Sequence, residues 1–246
     1  MPYFFSPRPL QMGAELILEG EDAAHLLKSR RMRAGETFAV QDPSGARFLA
    51  QLTRSPREGA WMRVLAPVAP PPLPGRRLTL LLAAAKDKAV ETALQKAAEL
   101  GVAEICLVAT RFSALTQREL AAPRSRARWE RILREACKQC DRQFPPPLRI
   151  EAGLAAALNG CSGAVLRVAL HPDARESLAA ALAGAAPDSA AVLVGPEGGL
   201  ASEESSLAAE AGFRPVSLGR LVLRAETAAI AACAVLLFSG GPNPLT

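Results

Sequence analysis

The stretch AAVLVGPEGGLASEE, residues 190–204, holds the densest structural signal in the chain. Five apolar residues, Ala190 to Val194, stop at Gly195-Pro196-Glu197-Gly198-Gly199, and a segment with early acids, Ser202-Glu203-Glu204, follows at once. A short apolar run bounded by glycine and proline reads as a buried strand. Acids just beyond it suit the positive end of a helix. The pattern is therefore strand, tight turn, helix. Glycine permits positive φ and close approach of a ligand to the backbone, and free N–H groups at a helix start can receive an anion or a carboxylate. The turn is neither a Walker A loop, which needs Gly-Lys-Ser/Thr, nor a G-x-G-x-x-G fingerprint. By itself it fits a plain chain reversal or a cradle for part of a nucleotide-like cofactor.

The same alternation extends to both sides. Strands are expected at Leu78–Ala84, Glu104–Ala109, Val165–Leu170 and Arg214–Ser217, with helices at Lys88–Leu100, Arg124–Arg142, Ser177–Ala183, Ser202–Ala211 and Thr227–Phe238. Strands alternating with helices predict an α/β fold with a parallel sheet covered on both faces. Ligands bind such sheets at the carboxyl ends of the strands, which is where Gly195–Gly199 lies. Before residue 66 the pattern differs. Leu16–Glu19, Glu36–Gln41, Arg47–Thr53 and Trp61–Leu65 read as short strands, with a turn at Pro43-Ser44-Gly45 and one short helix at Ala23–Ser29. Between the two patterns, APVAPPPLPGRR (residues 66–77) carries five prolines. Prolines at that density form neither a helix nor a central strand, so the domain boundary is expected here, giving domains 1–72 and 73–246.

Half of the 246 residues are hydrophobic and 22% are charged, as in a globular chain with a sizeable core. The apolar runs Leu78–Ala85 and Ala228–Phe238 fall short of the roughly 18–20 residues that span a bilayer, so no membrane partner is expected. The N-terminus lacks the basic-then-apolar pattern of a signal peptide, and a cytoplasmic location follows as the expectation. Five scattered cysteines do not make a disulfide framework. Cys137-x-x-Cys140 has no second pair or nearby histidine to complete a metal site, and reads as two small residues on a helix. No metal is expected. Net charge is +5, but residues 108–150 alone carry ten basic and four acidic groups, and residues 151–246 are net negative. Basic surface concentrated in one segment points to a polyanion partner or to a solvated helix face.

A second stretch, SLGRLVLRAETAAIAA (residues 217–232), places Arg224 and Glu226 at the entrance of an apolar helix. An acid or Thr227 there suits a helix start, but capping gives Arg224 no role. GPEGG followed some twenty residues later by LGRLVLRAET resembles the ribosomal RNA small subunit methyltransferase E family of the SPOUT superfamily. KDKAVETALQKAAELGV (86–102), RWERILREACKQCDR (128–142) and HLLKSRRMRAGE (25–36) are similar to further stretches of that family, so the likeness spans nearly the whole chain. The chain departs from the family pattern at Lys138 and Asp141, where an acid and a glycine are usual, at Leu221, where a base is common, and at Arg30, which replaces an aliphatic residue.

The resemblance implies a PUA-like β-barrel RNA-binding domain over residues 1–72 and a SPOUT methyltransferase domain with a C-terminal trefoil knot over 73–246. It implies a homodimer that uses S-adenosylmethionine to methylate N3 of one uridine (m3U1498) in 16S ribosomal RNA of the small subunit. Leu170, Gly195, Pro196, Glu197, Gly198, Gly199, Leu218, Gly219, Leu221 and Leu223 would bind the cofactor. Uracil N3 must lose a proton, so a base or an oxyanion-stabilising cation is needed. Arg224 is the candidate for the second role, with Arg142 another, and Glu226 either orients Arg224 or acts as base. Arg31, Arg33, Lys86, Lys88 and Arg128, with the neighbouring arginines 124, 126, 131 and 134, would hold RNA. A noncatalytic RNA-binding module is the rival reading, and Arg224 and Glu226 beside a cofactor turn argue against it. A related methyltransferase acting on ribose or on transfer RNA is a closer rival, and the N-terminal barrel and residues 86–102 argue against it.

Overall fold

The computed structural model describes residues 3–55, 59–183 and 187–239. They divide into two compact units. One holds residues up to Pro71 together with Cys137–Phe144, and the other holds Pro72–Ala136 and the residues from Pro145 onward.

The first unit is built on one five-stranded sheet. Its strands are β1 (Tyr3–Phe5), β2 (Glu15–Leu18), β3 (Thr37–Gln41), β4 (Arg47–Arg54) and β5 (Ala60–Pro67), in the order β1-β3-β4-β5-β2. All pairs are antiparallel except β1 with β3. Register shifts at Leu49/Ala50 and Leu52/Arg54 mark bulges, which bend a sheet. The resulting half-barrel fits the N-terminal barrel expected above. Phe4, Leu18, Leu26, Phe38, Val40, Leu52 and Met62 fill its core, and Tyr3, Ala39, Gln41 and Arg47 are buried as well. Helix α1 (Gly20–Ala24) runs into a π-helical turn, His25–Ser29, which places Leu26 in that core. The Asp42 carboxylate accepts from Ser44 N at 2.9 Å and so closes the Pro43-Ser44-Gly45 turn.

Asp141 and Lys138 both find partners within this unit. Asp141 has φ 68°, the left-handed region that favours glycine, and Asp is among the few side-chain-bearing residues that tolerate it. Its carboxylate accepts from Arg47 Nη1 at 2.5 Å, and Arg47 is buried with its guanidinium over the Tyr3 ring at 4.2 Å. Lys138 pairs with Asp22 at 3.1 Å.

The second unit is a six-stranded, all-parallel sheet: β6 (Arg77–Ala83), β7 (Glu104–Val108), β8 (Leu148–Glu151), β9 (Leu166–Leu170), β10 (Ser189–Val194) and β11 (Arg214–Val216), in the order β11-β9-β10-β6-β7-β8. Between them run α2 (Asp87–Leu100), α3 (Gln117–Leu120), α4 (Pro123–Cys140), α5 (Leu154–Asn159), α6 (Leu178–Leu182), α7 (Ser202–Glu210) and the closing α8 (Ala225–Phe238). Leu80, Leu81, Leu82 and Ala83 of β6 are all buried, as a strand covered on both faces requires. Leu81, Cys106 and Leu193 share one cluster with Leu154, Ala157 and Leu158 of α5 and Ala208 of α7. On the other face α8 packs on β6 and β10, and against α2.

Helix α2 ends where Gly101 turns left-handed at φ 91°, the stop that glycine makes easy. Helix α4 buries Trp129, Leu133, Ala136 and Cys137, one stripe at helical spacing, while Arg124, Arg126, Arg128, Arg131 and Arg134 face water. Buried Arg76 holds the two ends of the unit together: its Nε donates to Pro187 O at 2.7 Å, and its Nη1 donates to the Leu236 carbonyl at the end of α8. A cation there also meets the negative end of the helix.

Strands β1 and β8 and helices α3 and α5 were not expected. β8 reads LRIE, half charged and only four residues long. It forms because Leu148 to Glu151 finds the open edge of β7 after α4 has ended at Cys140 and Asp141 has turned left-handed. Long-range pairing, not local propensity, makes it a strand.

Candidate functional site

The carboxyl ends of β9, β10 and β11 meet at one cavity of about 320 Å³. Three segments line it: Leu170–Asp173 at the end of β9, Gly195–Leu200 after β10, and Leu218, Gly219 and Leu221–Leu223 after β11, with Ala225 and Ala228 from the first turn of α8. All ten residues named above for the cofactor, Leu170, Gly195, Pro196, Glu197, Gly198, Gly199, Leu218, Gly219, Leu221 and Leu223, line this one cavity.

Local geometry accounts for the two glycine-bearing turns. Gly199 donates its N–H to Pro196 O at 2.9 Å and sits at φ 73°, so the turn closes through a left-handed residue. A Cβ on Gly195 would lie 3.3 Å from the Gly199 carbonyl carbon and 3.4 Å from its Cα, so the chain folds back on itself closely enough that a side chain would have to push the Gly199 backbone by a few tenths of an ångström. Gly219 at φ 126° lets the chain leave β11 and reach α8. The loops are stitched to one another through the backbone. His171 N donates to Val216 O at 2.9 Å, Ser217 N to Glu176 O at 2.9 Å, and Leu178 N to Ser217 O at 2.8 Å.

Glu204, the third residue of α7, accepts from Ala201 N at 2.9 Å through Oε2. That is the reach-back half of a capping box; Ala201 itself offers no side-chain acceptor. The early acids of the opening stretch therefore do what their position predicts.

The chemistry of the walls is selective. Leucines and valines supply apolar area, and the glycine turns present main-chain polar groups. Among the described residues, the charged side chains that line the cavity are Asp173 and Glu197, both acids, with no lysine or arginine. Such a site disfavours a phosphate-bearing cofactor and suits a ligand that carries positive charge. A sulfonium nucleoside fits that donor set, and the volume lies at the lower end of the range for small-ligand sites.

His171, Pro172 and Asp173 are site residues that the sequence reading did not single out. Their one available signal was position, immediately after the carboxyl end of a strand. His171 Nδ1 accepts from Asp173 N at 3.1 Å, which fixes the ring at the wall.

Arg224 is the N-cap residue of α8. Its carbonyl accepts from Ala228 N at 2.8 Å, and its side chain makes no capping bond and is exposed. It stands between Leu223 and Ala225, both of which line the cavity. Glu226 lies in the first turn of the same helix, half-buried. Arg142 belongs to the first unit. It is buried, its Nε donates to Phe144 O at 2.7 Å, and burial draws its pKa below the ordinary guanidinium value. Arg31, Arg33, Lys86 and Lys88 are exposed, and Arg128 pairs with Glu91 at 2.5 Å. Burial pushes the Cys137 thiol up to about 12, so it carries no reactive thiolate.

A family model described as an RNA methyltransferase domain matches residues 71–237. Ribosomal RNA small subunit methyltransferase E of Synechocystis is 33% identical over 217 residues, covering 85% of this chain and 68% of its own. The Mycobacterium tuberculosis protein of the same name is 30% identical over 239 residues, covering 89% and 85%. Two solved structures superpose over 96% of both chains. One, from Legionella pneumophila, is described as a methyltransferase with bound S-adenosylmethionine (TM-score 0.81, 30% identity). The other is the ribosomal RNA small subunit methyltransferase E of Neisseria gonorrhoeae, also with S-adenosylmethionine (TM-score 0.79, 28% identity). With a family model matching over most of the chain and relatives 30–33% identical over 85–89% of it, this protein belongs to the ribosomal RNA small subunit methyltransferase E family.

Proposed function

We propose that the protein transfers a methyl group from S-adenosylmethionine to uracil N3 of U1498 in 16S ribosomal RNA. The observation that carries this reading is the convergence of two glycine turns on a cavity whose charged walls are both acidic, in a family whose solved relatives hold S-adenosylmethionine. Bound there, S-adenosylmethionine supplies a methyl group on a cationic sulfur. The chain supplies the rest: orientation, exclusion of water and electrostatics. Gly195, Gly198 and Gly199 form the floor, and Leu218–Leu223 the opposing wall. Arg224 holds the uracil oxygen that gains negative charge as the N3 proton leaves, and Glu226 orients Arg224 or takes that proton. Arg142 is the second candidate for the oxyanion.

N3 lies on the Watson–Crick edge, so the target base is unpaired when it reacts. The first unit would act as a PUA-like RNA-binding domain. The exposed arginines of α4, with Lys86, Lys88, Arg31 and Arg33, would hold phosphates. A trefoil knot is proposed for the segment from β11 to α8. Its support is the stitching of Val216 and Ser217 into the loop after β9, before the chain returns to pack α8 on β6. A homodimer is proposed on Leu221 and Val222, which are 82% and 85% exposed at the rim of the cavity; apolar side chains grouped at a site mark an interface. No helix of the described residues is long and apolar enough to cross a membrane. An enzyme of ribosomal RNA would work in the cytoplasm.

The deciding experiment incubates the protein with labelled S-adenosylmethionine and small subunits lacking the modification, followed by mass spectrometric mapping. Label on uracil N3 at one position is the expected result. Label on ribose, or none, overturns the reading. Affinity for the RNA is expected to fall at least about a hundredfold between 50 and 200 mM salt, as for a site with several phosphate contacts. A binding titration over that range checks it, and a flat response removes the basic helix from the interface.

A further inference from the structure

We infer that Phe112 is the surface on which the unpaired uracil stacks, with Arg111 beside it for the adjoining phosphate. The inference rests on the cavity being the methyl-donor site.

A base drawn out of its helix loses its neighbours' π surfaces, and proteins that take bases out of the stack replace them with aromatic rings. No phenyl, phenol or indole ring among the described residues lines the cavity. Among the described residues of the second unit, His171 at the cavity wall and two phenylalanines, Phe112 at 49% and Phe238 at 55%, are exposed rings, and a phenyl face is broader than an imidazole held by Asp173 N. Phe238 ends α8, whereas Ala225 and Ala228 at its start line the cavity. Thirteen helical steps, about 20 Å, separate Phe238 from that end. Phe112 is at the right place. A Cβ on Gly198 would lie 2.9 Å from Phe112 Cβ and 3.3 Å from its Cγ, so the stem of this side chain rests on the turn that forms the cavity floor.

The loop that carries the ring is pinned on three sides. Thr110 N donates to Ser113 Oγ at 2.9 Å, and Ala114 N to Ala84 O at 2.9 Å. Arg111 N donates to Glu204 Oε1 at 2.8 Å, while the other oxygen of that carboxylate caps α7. A ring presented by so constrained a loop has little ordering entropy left to lose when a base stacks on it. The Arg111 guanidinium lies over the ring, 5.8 Å from its centroid, and its loose pair with Glu203 at 3.9 Å leaves both side chains largely exposed. Aromatic face and guanidinium together match a nucleotide, in a segment whose net charge is positive.

Three variants test this: Phe112→Ala, Phe112→Leu and Phe112→Tyr. S-adenosylmethionine affinity is measured by calorimetry, and methylation of unmodified small subunits by initial rates over a subunit titration. The expected result is a fall in kcat/KM for subunits of about 5- to 150-fold in the Ala and Leu variants, near-normal values for Tyr, and unchanged cofactor affinity in all three. Full activity in the Leu variant shows that only apolar bulk matters and overturns the proposal. So does cofactor affinity that falls in step with methylation, which assigns the ring to packing the Gly198 turn. Wild-type protein run in parallel reports on the earlier reading: failure there is loss of methylation by wild type, whereas failure here is a methylating wild type indifferent to Phe112.

Discussion

Replacing Gly195 with valine is expected to weaken S-adenosylmethionine binding about 5- to 150-fold and to leave the fold intact. Gly195 follows β10 directly, and a Cβ there would press on the Gly199 backbone at 3.3 Å and on Leu200 Cγ at 3.4 Å. Backbone cannot move aside as a side-chain tip can. Valine adds two methyl groups beyond the Cβ, and overpacking of this kind costs about 1–3 kcal/mol, which at 1.4 kcal/mol per decade gives the range above. The cost falls on the turn rather than on the sheet, because β10 is held by β6 and β9 on both sides. Calorimetry gives the affinity, and far-ultraviolet circular dichroism with a melting curve checks the fold. Alanine should fall between glycine and valine. Normal affinity in the valine variant would place the cofactor elsewhere and remove the basis for the proposed reaction. Gly198→Val tests a different contact, since its Cβ meets Phe112 rather than backbone.

Replacing Arg224 with alanine should cost catalysis rather than binding. A donor aimed at a developing oxyanion contributes about 10²–10³ in kcat when removed, and that is the loss expected in single-turnover methylation of unmodified subunits. Cofactor affinity should stay within about twofold, because the residues lining the cavity do not include Arg224. Stability should change little as well: Arg224 contributes its carbonyl to the start of α8, and alanine keeps that bond to Ala228 N. Lysine at 224 should recover part of the rate, since it restores charge without the planar fork of donors. An unaltered rate in the alanine variant would shift the oxyanion role to Arg142. The matching loss in an Arg142 variant would then be read beside its melting temperature, because that side chain is buried and bonded to Phe144 O.

Glycine and proline made the site legible in one dimension. Gly195, Pro196, Gly198, Gly199 and Gly219 interrupt apolar runs, and the conformations they allow, φ 73° at Gly199 and φ 126° at Gly219, are ones that other residues resist. Short unbroken apolar runs bounded by turns likewise fixed the type of β6, β7, β9 and β10, because strands buried on both faces carry no alternation, and helical spacing of apolar residues fixed that of α2. His171 and Asp173 left no such mark, since a polar residue after a strand is ordinary until two other loops close on it. β8 and β1 were invisible for the reason given by their pairing: a four-residue and a three-residue strand owe their conformation to partners tens of residues away.

Sequence alone therefore determined which segments are strands buried on both faces, where the chain turns, and which short motifs join this protein to its family, since these depend on interactions between residues near one another along the chain. Tertiary structure alone decided that the ends of β9, β10 and β11 share one cavity, that Cys137–Phe144 clusters with the first unit, and that Phe112 rests on Gly198. Each of those facts is a contact between residues far apart in the chain, set by the order in which parallel strands join the sheet, and no local preference encodes that order.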